Sequence, residues 1–489
     1  MSTPYILALD EGTTNAKALA VARDGTVLAA GSAPVPVAYP RPGWVEQDAD
    51  AVWKAQVEAI RACLGGLDAV PEGVAISNQR ESVVAWDART GAALGPVIGW
   101  QDSRTAEFCD WLRSPERELA VSVATGLSLD PMFSAPKMRY LLDRLGASAG
   151  AVDGQVRVGT VDSWLVSRLT GQDSYVIEAG NASRTLLLDL STLEWSQPMC
   201  DLFGVAREIL PQVVASNADF GSTRGLEVLP DGVPVVGVLG DSHAALFGHG
   251  CRTPAEGKAT YGTGSSVMVP AGAQPSVRRG VSTTLAWLTE EPVYGHEGNI
   301  VASGTAMDWT ARLLGVEAGR GLDALAATVE DAAGVSLVPA FTGLGAPWWD
   351  RQAVGVITGV TAGSSRGHLA RAALESVAHQ VADVVDALGA QDLTVLHADG
   401  GATASCLLMQ TQADLLGRDV MVSADAEISA LGAALMGFTR LGWEVPTPLP
   451  GQQEQGGRRY HPVLDEHQRS CARTRWSHAL ARSRLAPGS

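Results

Sequence analysis

The sequence predicts an α/β fold built from two similar halves, because strand-like and helix-like segments alternate and one loop pattern occurs twice. The first copy runs from Leu7 to Asn15 and the second from Lys258 to Ser266. In both copies a β-prone run breaks at Gly-Thr and resumes as a strand, over 18–22 and 267–269. Glycine lets the backbone approach an anion closely, so N–H groups and hydroxyls can point at phosphate oxygens. Two such phosphate loops predict a duplicated nucleotide-binding fold that holds phosphates between its halves.

The other elements follow from hydrophobic periodicity and from turn residues. Helical patterns occupy four segments, 51–64, 137–145, 367–388 and 428–438. The last of these is rich in alanine and glycine, as a tightly packed helix is. Buried strands are predicted over 73–77, 233–239 and 393–397. A polar segment at 452–459 is typical of a surface loop. No Pro- or Ser-rich linker separates the halves, and the change near 248–256 predicts domains over 1–248 and 249–489.

Composition narrows the class of protein and its partners. A chain of 489 residues is too long for one compact core, so at least two large domains are expected. A net charge of −17 argues against nucleic acid or an anionic membrane surface as the main partner. The six cysteines are scattered singly, which is typical of reduced intracellular thiols. With no signal-peptide pattern and no membrane-length apolar run, we expect a cytoplasmic protein.

Two aspartates stand at the ends of predicted strands. Asp10 ends the first strand beside the first phosphate loop, where a carboxylate can hold Mg²⁺ directly or through water. Asp241 follows the apolar run that ends at Gly240. Each also fits a plain structural role, since Asp10 suits a turn and Asp241 suits a helix N-cap. Open α/β sheets bind ligands at the carboxyl ends of their strands, which favours one cleft for both residues.

A second group of polar residues follows the strand at 73–77. Arg80 and Glu81 form either a surface ion pair of little energetic value or a donor and acceptor for neighbouring hydroxyls. The second arrangement is what a polyol requires. Trp100 is either a core residue or an aromatic wall beside them. The sequence alone leaves both interpretations open.

Taken together, these motifs resemble the FGGY family of carbohydrate kinases, and within it the glycerol kinases. The matching blocks run nearly from end to end of the chain. They are DEGTT (10–14), GWVEQ (43–47), NQRE (78–81), WQD (100–102), TVDSWL (160–165), NASRT (181–185), GD (240–241), YGTG (261–264), PAFTGLGAP (339–347) and DGG (399–401). Each block alone is a weak signal, whereas the full set is specific.

The resemblance implies α/β architecture with two actin/hexokinase-like (ribonuclease H-like) domains and a central interdomain cleft that closes on ATP. It implies that Asp241 is the general base and that Asp10 lies near Mg²⁺. It also implies polyol contacts from Arg80, Glu81 and Trp100. The implied ATP-binding residues are Thr13, Thr14, Asn15 and Lys17 in the first phosphate loop, Thr263 and Gly264 in the second, Gly304 and Asp308, and, at the adenosine end, Gly401 and Ser405.

Departures from the glycerol kinase pattern concern the substrate pocket. Met132 stands where those enzymes have tyrosine, Ser242 where they have glutamine, and Ser266 where they have phenylalanine. The pocket is therefore predicted to be roomier and more polar, which makes a four- or five-carbon substrate plausible. Glu11 replaces a glutamine close to the incoming phosphates. It is expected to weaken ATP binding unless it is turned away or paired with Lys17 or Mg²⁺.

These observations predict an ATP- and Mg²⁺-dependent kinase for a terminal hydroxyl of a small polyol or sugar. Glycerol stays open as the substrate, as do a tetritol such as erythritol and a pentulose such as xylulose or ribulose. Outside this class stand an actin-like ATPase, which needs no polyol pocket, and a catalytically inactive relative, which the intact Asp10 and Asp241 disfavour. The resemblance also implies a homo-oligomer, either a dimer or a tetramer.

Overall fold

A computed structural model describes residues 3–146, 154–425, 427–446 and 457–485. Its main elements are two mixed β-sheets flanked by helices, one sheet from each half of the chain. No helix within these ranges is both long and apolar enough to cross a membrane.

The first half is organised around a five-stranded sheet. Its strands are, in spatial order, Val235–Gly240, Gly73–Asn78, Tyr5–Glu11, Asn15–Ala22 and Val27–Pro34. Shorter sheets contain Glu46–Gln47, Val97–Ile98, Val83–Asp87 and Val156–Thr160; Leu188–Asp189 with Glu194–Trp195; and Gln212–Val214 with Val176–Glu178. The helices of this half are Ala49–Leu64, Ala106–Leu112, Pro115–Thr125, Ser134–Arg144, Val161–Leu169, Ala179–Ala182, Gln197–Phe203 and Asp241–Gly248, with a 3₁₀ turn at Arg207–Ile209.

The second half is organised around a seven-stranded sheet. Its strands are, in spatial order, Ser282–Leu288, Pro292–Ile300, Ser265–Gly272, Glu256–Tyr261, Val395–Asp399, Asp419–Val422 and Arg458–Tyr460. A separate pair joins Ser336–Val338 to Val356–Thr358. The helices are Gly304–Leu314, Arg320–Ala326, Arg366–Ala387, Cys406–Leu416, Ile428–Leu441 and Glu466–Ser483, with a 3₁₀ turn at Gly401–Ala404.

The two sheets share one core topology. In the first, Tyr5–Glu11 pairs antiparallel with the strand after its loop and parallel with Gly73–Asn78. In the second, Glu256–Tyr261 pairs antiparallel with the strand after its loop and parallel with Val395–Asp399. Both sheets then continue to a third antiparallel strand on one side and a further parallel strand on the other. The duplication predicted from the two loops is therefore present at the level of strand order and direction.

The halves are joined by close packing of helix Ile428–Leu441 against helix Asp241–Gly248 and the first sheet. Glycines make this approach possible. A Cβ on Gly432 would lie 1.8 Å from the carbonyl oxygen of Ala244, and one on Gly248 would lie 2.6 Å from that of Ile428. A helix from the second half thus covers a sheet of the first. The division of the chain at residues 248 and 249 stays a prediction.

The predicted elements match the observed ones to within a few residues, with one exception. The segment at 452–459, predicted to be a surface loop, lies partly outside the described residues, and Arg458–Tyr460 forms an edge strand. That strand is held by main-chain bonds to Asp419–Val422, a long-range pairing that its polar sequence does not signal.

Candidate active site

Polar side chains of the first half collect at the carboxyl edge of its three parallel strands. Asp10 is aligned with Ser77, and Ser77 with Leu239, in neighbouring strands. Arg80 and Asp241 therefore follow two strands that end at the same level. Parallel strands bring their carboxyl ends to one edge, which is where open α/β sheets bind ligands.

Asp241 begins the helix that follows strand Val235–Gly240. Its side chain is 44% exposed, in contrast to Arg80, which is 6% exposed. Arg80 Nε donates to Asp241 Oδ1 at 3.0 Å, and the backbone N–H of Ser242 donates to the same oxygen at 2.6 Å. Both bonds converge on Oδ1. The second oxygen, Oδ2, is thereby oriented and available to take a proton.

A buried ion cluster supports Asp241, and it includes Glu297 from the second half of the chain. The guanidinium of Arg80 binds Glu297 in a bidentate pair at 2.9 and 2.6 Å. Arg184 lies 3.0 Å from the same carboxylate. Burial alone would raise the pKa of Glu297, but the two guanidiniums hold it well below its usual range. Glu297 therefore stays charged and fixes the arginine that orients Asp241.

Glu81 lies beside this cluster in a strained backbone conformation. Its φ is 62°, a left-handed value that is unusual for a residue other than glycine. Its carboxylate accepts from Arg184 Nε at 2.6 Å, and its carbonyl accepts from Ser134 Oγ at 3.1 Å. Strain of this kind persists only where the surroundings fix it, and such residues cluster at functional sites. Arg80 and Glu81 therefore form no isolated surface pair, which settles one alternative left by the sequence.

The two serines that depart from the glycerol kinase pattern meet across the halves. Ser242 Oγ and Ser266 Oγ are 3.2 Å apart. Lys258 Nζ donates to them at 3.1 and 3.4 Å, and Ser266 Oγ donates to Glu297 at 2.8 Å. The positions predicted to be roomy and polar thus form one hydroxyl surface backed by a buried ammonium.

Two further residues of the predicted substrate pocket, Trp100 and Met132, are held by hydrogen bonds of their own segments. The indole N–H of Trp100 donates to Thr13 Oγ1 at 3.0 Å, which ties this aromatic side chain to the first phosphate loop. Lys137, fully buried, donates to the carbonyl of Met132 at 2.6 Å and to that of Gly99 at 3.3 Å. Trp100 is half-buried and is not a core residue. Through these two bonds Lys137 holds the segment that contains Gly99 and Trp100 next to the segment that contains Met132.

The first phosphate loop is a tight turn between two antiparallel strands. Gly12 N–H donates to the carbonyl of Asn15 at 3.1 Å, and Thr14 and Asn15 are exposed at its tip. Asn15 Nδ2 donates to Thr14 Oγ1 at 3.2 Å. Lys17 follows on the second strand, where its ammonium lies 2.5 Å from Glu427 at the start of helix Ile428–Leu441. This lysine therefore connects the first loop to the second half.

The second phosphate loop is packed under a helix N-terminus. Gly304 N–H donates to the carbonyl of Gly262 at 3.0 Å, and the N–H groups of Ser303 and Thr305 both donate to Thr263. A Cβ on Gly304 would lie 2.6 Å from the carbonyl oxygen of Gly262, so only glycine permits this contact. Thr263 is exposed and Gly264 half-buried, and Asp308 is exposed one turn along the same helix.

The predicted adenosine end lies at the turn after strand Val395–Asp399. Gly401 is exposed at the start of a 3₁₀ turn. Ser405 is buried, caps helix Cys406–Leu416 by accepting from Leu408 N–H, and donates to Asp323 at 2.8 Å. Its hydroxyl thus has a structural role, whereas Gly401 leaves backbone available to a nucleotide.

Asp10 is half-buried among other carboxylates. Burial raises the pKa of Asp10 to about 6. The neighbouring Ser77 and the charge of Lys17 oppose this rise, whereas the charges of Asp241 and Glu427 add to it. An excess of negative charge at a desolvated carboxylate favours a cation. No group of three or more His, Cys, Asp or Glu side chains in metal-binding geometry occurs among the described residues. The donor set fits Mg²⁺, which keeps several waters and needs one or two carboxylates plus phosphate oxygens.

Glu11 is turned away from the phosphate loop. Its side chain is fully buried, and Oε1 accepts from Gln79 Nε2 at 2.9 Å. Burial raises the pKa of Glu11 to about 8, against the opposing hydrogen bond from Gln79. The carboxyl group is therefore protonated at neutral pH and resembles the glutamine that it replaces. Lys17 pairs with Glu427 and not with Glu11, but Glu11 is turned into the protein interior, so the condition under which it was expected to repel ATP does not hold.

We expect Glu11→Gln to keep KM for ATP within about threefold of the wild-type value, since the side chain carries no charge toward the phosphates. The native state keeps a proton that the unfolded chain releases above about pH 4.5, so the free energy of unfolding should fall as pH rises toward 8. Urea unfolding at pH 6 and 8.5, with chelator present, should show a smaller fall for Glu11→Gln. Glu72→Gln, at an exposed glutamate, is the control. An unchanged pH dependence would contradict a protonated Glu11.

The sequence did not identify three residues that organise this site. Arg184 lies within a matching block whose pattern gives it no role, and Glu297 binds Arg80, which is 217 residues away in the chain. Lys258 was noticeable only as one of four lysines in the chain. A charged residue inside an otherwise β-prone run is the one local signal that could have found Glu297 and Lys258.

Comparison with known proteins shows the family of this chain. The family model for the N-terminal domain of the FGGY family of carbohydrate kinases matches residues 5–248, and that for its C-terminal domain matches residues 257–441. Two curated relatives align along nearly the whole chain. An apulose kinase of Pectobacterium atrosepticum is 42% identical and covers 100% of both chains, and a glycerol kinase of Citrifermentans bemidjiense is 42% identical and covers 96% of this chain and 97% of its own.

The fold is also shared with solved structures. Plasmodium falciparum glycerol kinase with ADP superimposes with a TM-score of 0.92 at 27% identity, covering 99% of both chains. The two-domain α/β fold predicted from the sequence is confirmed by this similarity.

Proposed function

Because the chain belongs to the FGGY family of carbohydrate kinases and is a sugar or polyol phosphotransferase, we propose that it phosphorylates a terminal hydroxyl of a substrate with four or five carbons. The phosphoryl donor is ATP and the general base is Asp241. The observation that carries the choice of substrate is the hydroxyl surface of Ser242 and Ser266. Two short polar side chains stand where glycerol kinases carry longer ones, and they leave room for an additional carbon and its oxygen.

The chemistry follows from the position of Asp241. The substrate hydroxyl loses its proton to Asp241 Oδ2 as its oxygen bonds to the γ-phosphorus and the bond from that phosphorus to the leaving ADP breaks. Arg80 holds the carboxylate in one orientation, and Glu297 prevents Arg80 from turning. Transfer of a phosphoryl group depends mainly on positioning and on stabilisation of charge. Backbone N–H groups and hydroxyls of the two phosphate loops, with Lys17, supply that stabilisation.

Asp10 is the residue that would hold Mg²⁺, through one carboxylate and bound water. When bound, the ion neutralises phosphate charge during transfer. Lys17 has to exchange its contact with Glu427, at least in part, for a phosphate oxygen. Both side chains are about one-third exposed, so this ion pair contributes little to the free energy of folding. Breaking it therefore costs little free energy.

Glycerol is the second candidate substrate. Three residues of the glycerol kinase pattern support it: Arg80 binds Asp241, Glu81 belongs to the adjoining ion cluster, and Trp100 binds Thr13 of the first phosphate loop. The curated relatives include both glycerol kinases and an apulose kinase at equal identity, so overall similarity does not decide between them.

A coupled ADP-release assay with Mg-ATP decides the chain length of the substrate. The panel pairs each ketose with a polyol of equal length: dihydroxyacetone with glycerol, erythrulose with erythritol and threitol, xylulose with xylitol, and ribulose with ribitol, with apulose added. We expect the highest kcat/KM for a four- or five-carbon compound, by about tenfold or more over the three-carbon pair, or about 1.4 kcal/mol. A higher value for the three-carbon pair would overturn the proposal in favour of glycerol-type substrates.

A further inference from the structure

A buried ammonium lies behind the serines of the candidate pocket. Lys258 is fully buried on the strand that leads into the second phosphate loop. Its Nζ donates to three hydroxyls, those of Ser242 and Thr260 at 3.1 Å and that of Ser266 at 3.4 Å. An ammonium has three protons, so these contacts use all of them. Every partner is a neutral hydroxyl, and each is therefore polarised toward donating its own proton.

The protons of two of these hydroxyls already have acceptors. Ser266 Oγ donates to Glu297 Oε1 at 2.8 Å. Thr260 is aligned with Asp399 on the neighbouring strand and helps to lower the pKa of that carboxylate, which burial alone would raise. The proton of Ser242 has only Ser266 Oγ nearby, at 3.2 Å, which is long for a hydrogen bond between hydroxyls. Ser242 is thus the one hydroxyl of the three whose proton is free for a substrate.

A carbonyl oxygen is the group that best fits such a donor. It accepts a hydrogen bond and brings no proton of its own. An alcohol in the same place brings a proton that needs an acceptor, and Ser242 Oγ and Ser266 Oγ each keep only one lone pair after accepting an N–H group from Lys258. A polarised donor therefore suits a ketone, which only accepts, better than a secondary alcohol, whose own proton competes for the few lone pairs that remain.

We infer that Ser242, positioned and polarised by Lys258, donates to the ketone oxygen of the substrate and selects a ketose over the polyol of equal length. This inference rests on the proposed function, since it places the substrate at the site of Asp241. Ser242 is the residue that touches the substrate, and Lys258 is a positioning residue that acts through it. A purely structural Lys258, which only joins the two halves, would affect both classes of substrate alike.

The test compares kcat/KM for the two members of each ketose–polyol pair, because they differ only in the oxidation level of one carbon. For the wild-type enzyme we expect the ketose to exceed its polyol by about tenfold or more. Ser242→Ala should reduce that ratio to about threefold or less. Lys258→Met should reduce it as well, and if that variant does not fold, Ser242→Ala alone decides. Ser477→Ala, an exposed serine on helix Glu466–Ser483, is the matched control and should keep the wild-type ratio.

Two results would overturn the inference. One is a wild-type ratio at or below one in the pairs that the enzyme uses. The other is a loss in Ser242→Ala that is the same for ketose and polyol, which is what a structural role predicts. Failure of the proposed function is seen separately, since it concerns which chain length is preferred, whereas the inference concerns the oxidation level within each length.

Discussion

Asp241→Asn is expected to lower kcat by about 10²- to 10⁴-fold while the Kd for ATP stays close to the wild-type value. The asparagine retains an oxygen that can accept from Arg80 Nε and from the N–H of Ser242, so the local structure should persist. What is lost is the carboxylate oxygen that we propose takes the proton of the substrate hydroxyl. The proposed ATP contacts lie in the phosphate loops, with which Asp241 forms no hydrogen bond among the described residues.

Three measurements separate loss of the base from loss of the fold. Single-turnover kinetics reports the chemical step, calorimetric titration reports ATP binding, and near-UV circular dichroism reports packing. Asp392→Asn, at an exposed aspartate, provides a control for the same chemical change. If Asp241→Asn keeps most of its kcat, the role of general base has to be reassigned.

Glu297→Gln is expected to destabilise the protein by about 3–5 kcal/mol, because it removes the shared partner of two buried guanidiniums. Glu297 and Arg184 are fully buried, and Arg80 is nearly so. The neutral amide would leave Arg80 with the half-exposed Asp241 and Arg184 with Glu81. Buried charges without compensation cost more than the pair contributes when intact, so removal of one partner has a large effect.

The shift is measured as the change in the urea midpoint of unfolding, with Glu291→Gln as the control. Glu291 is exposed and directly precedes strand Pro292–Ile300, which carries Glu297, so it receives the same substitution in the same hairpin without the buried charges. Activity should also fall in Glu297→Gln, because Arg80 no longer orients Asp241. Equal midpoints for the two variants would show that the cluster contributes nothing to stability.

The sequence predicted the fold because its signals are local. The strand–Gly-Thr–strand loops, the buried strands beside them and the alanine-rich helix at 428–438 each depend on residues within one short segment. Their duplication then implied two similar sheets, and the observed strand order agrees. The edge strand at Arg458–Tyr460 was not predicted, because main-chain pairing with a distant strand and long-range contacts such as the Arg459–Asp419 ion pair stabilise it.

What the sequence by itself determined is the two-sheet α/β fold, the family, and the positions of Asp10, Asp241 and the two phosphate loops at strand ends. Only the tertiary structure decided the protonation of Glu11, the support of Asp241 through Arg80 and Glu297, and the placement of Lys258 behind Ser242 and Ser266. The physical reason is range. Strand and turn preferences act between neighbours in the chain, whereas burial and charge pairing act between residues that only folding brings together, such as Arg80 and Glu297, which are 217 positions apart.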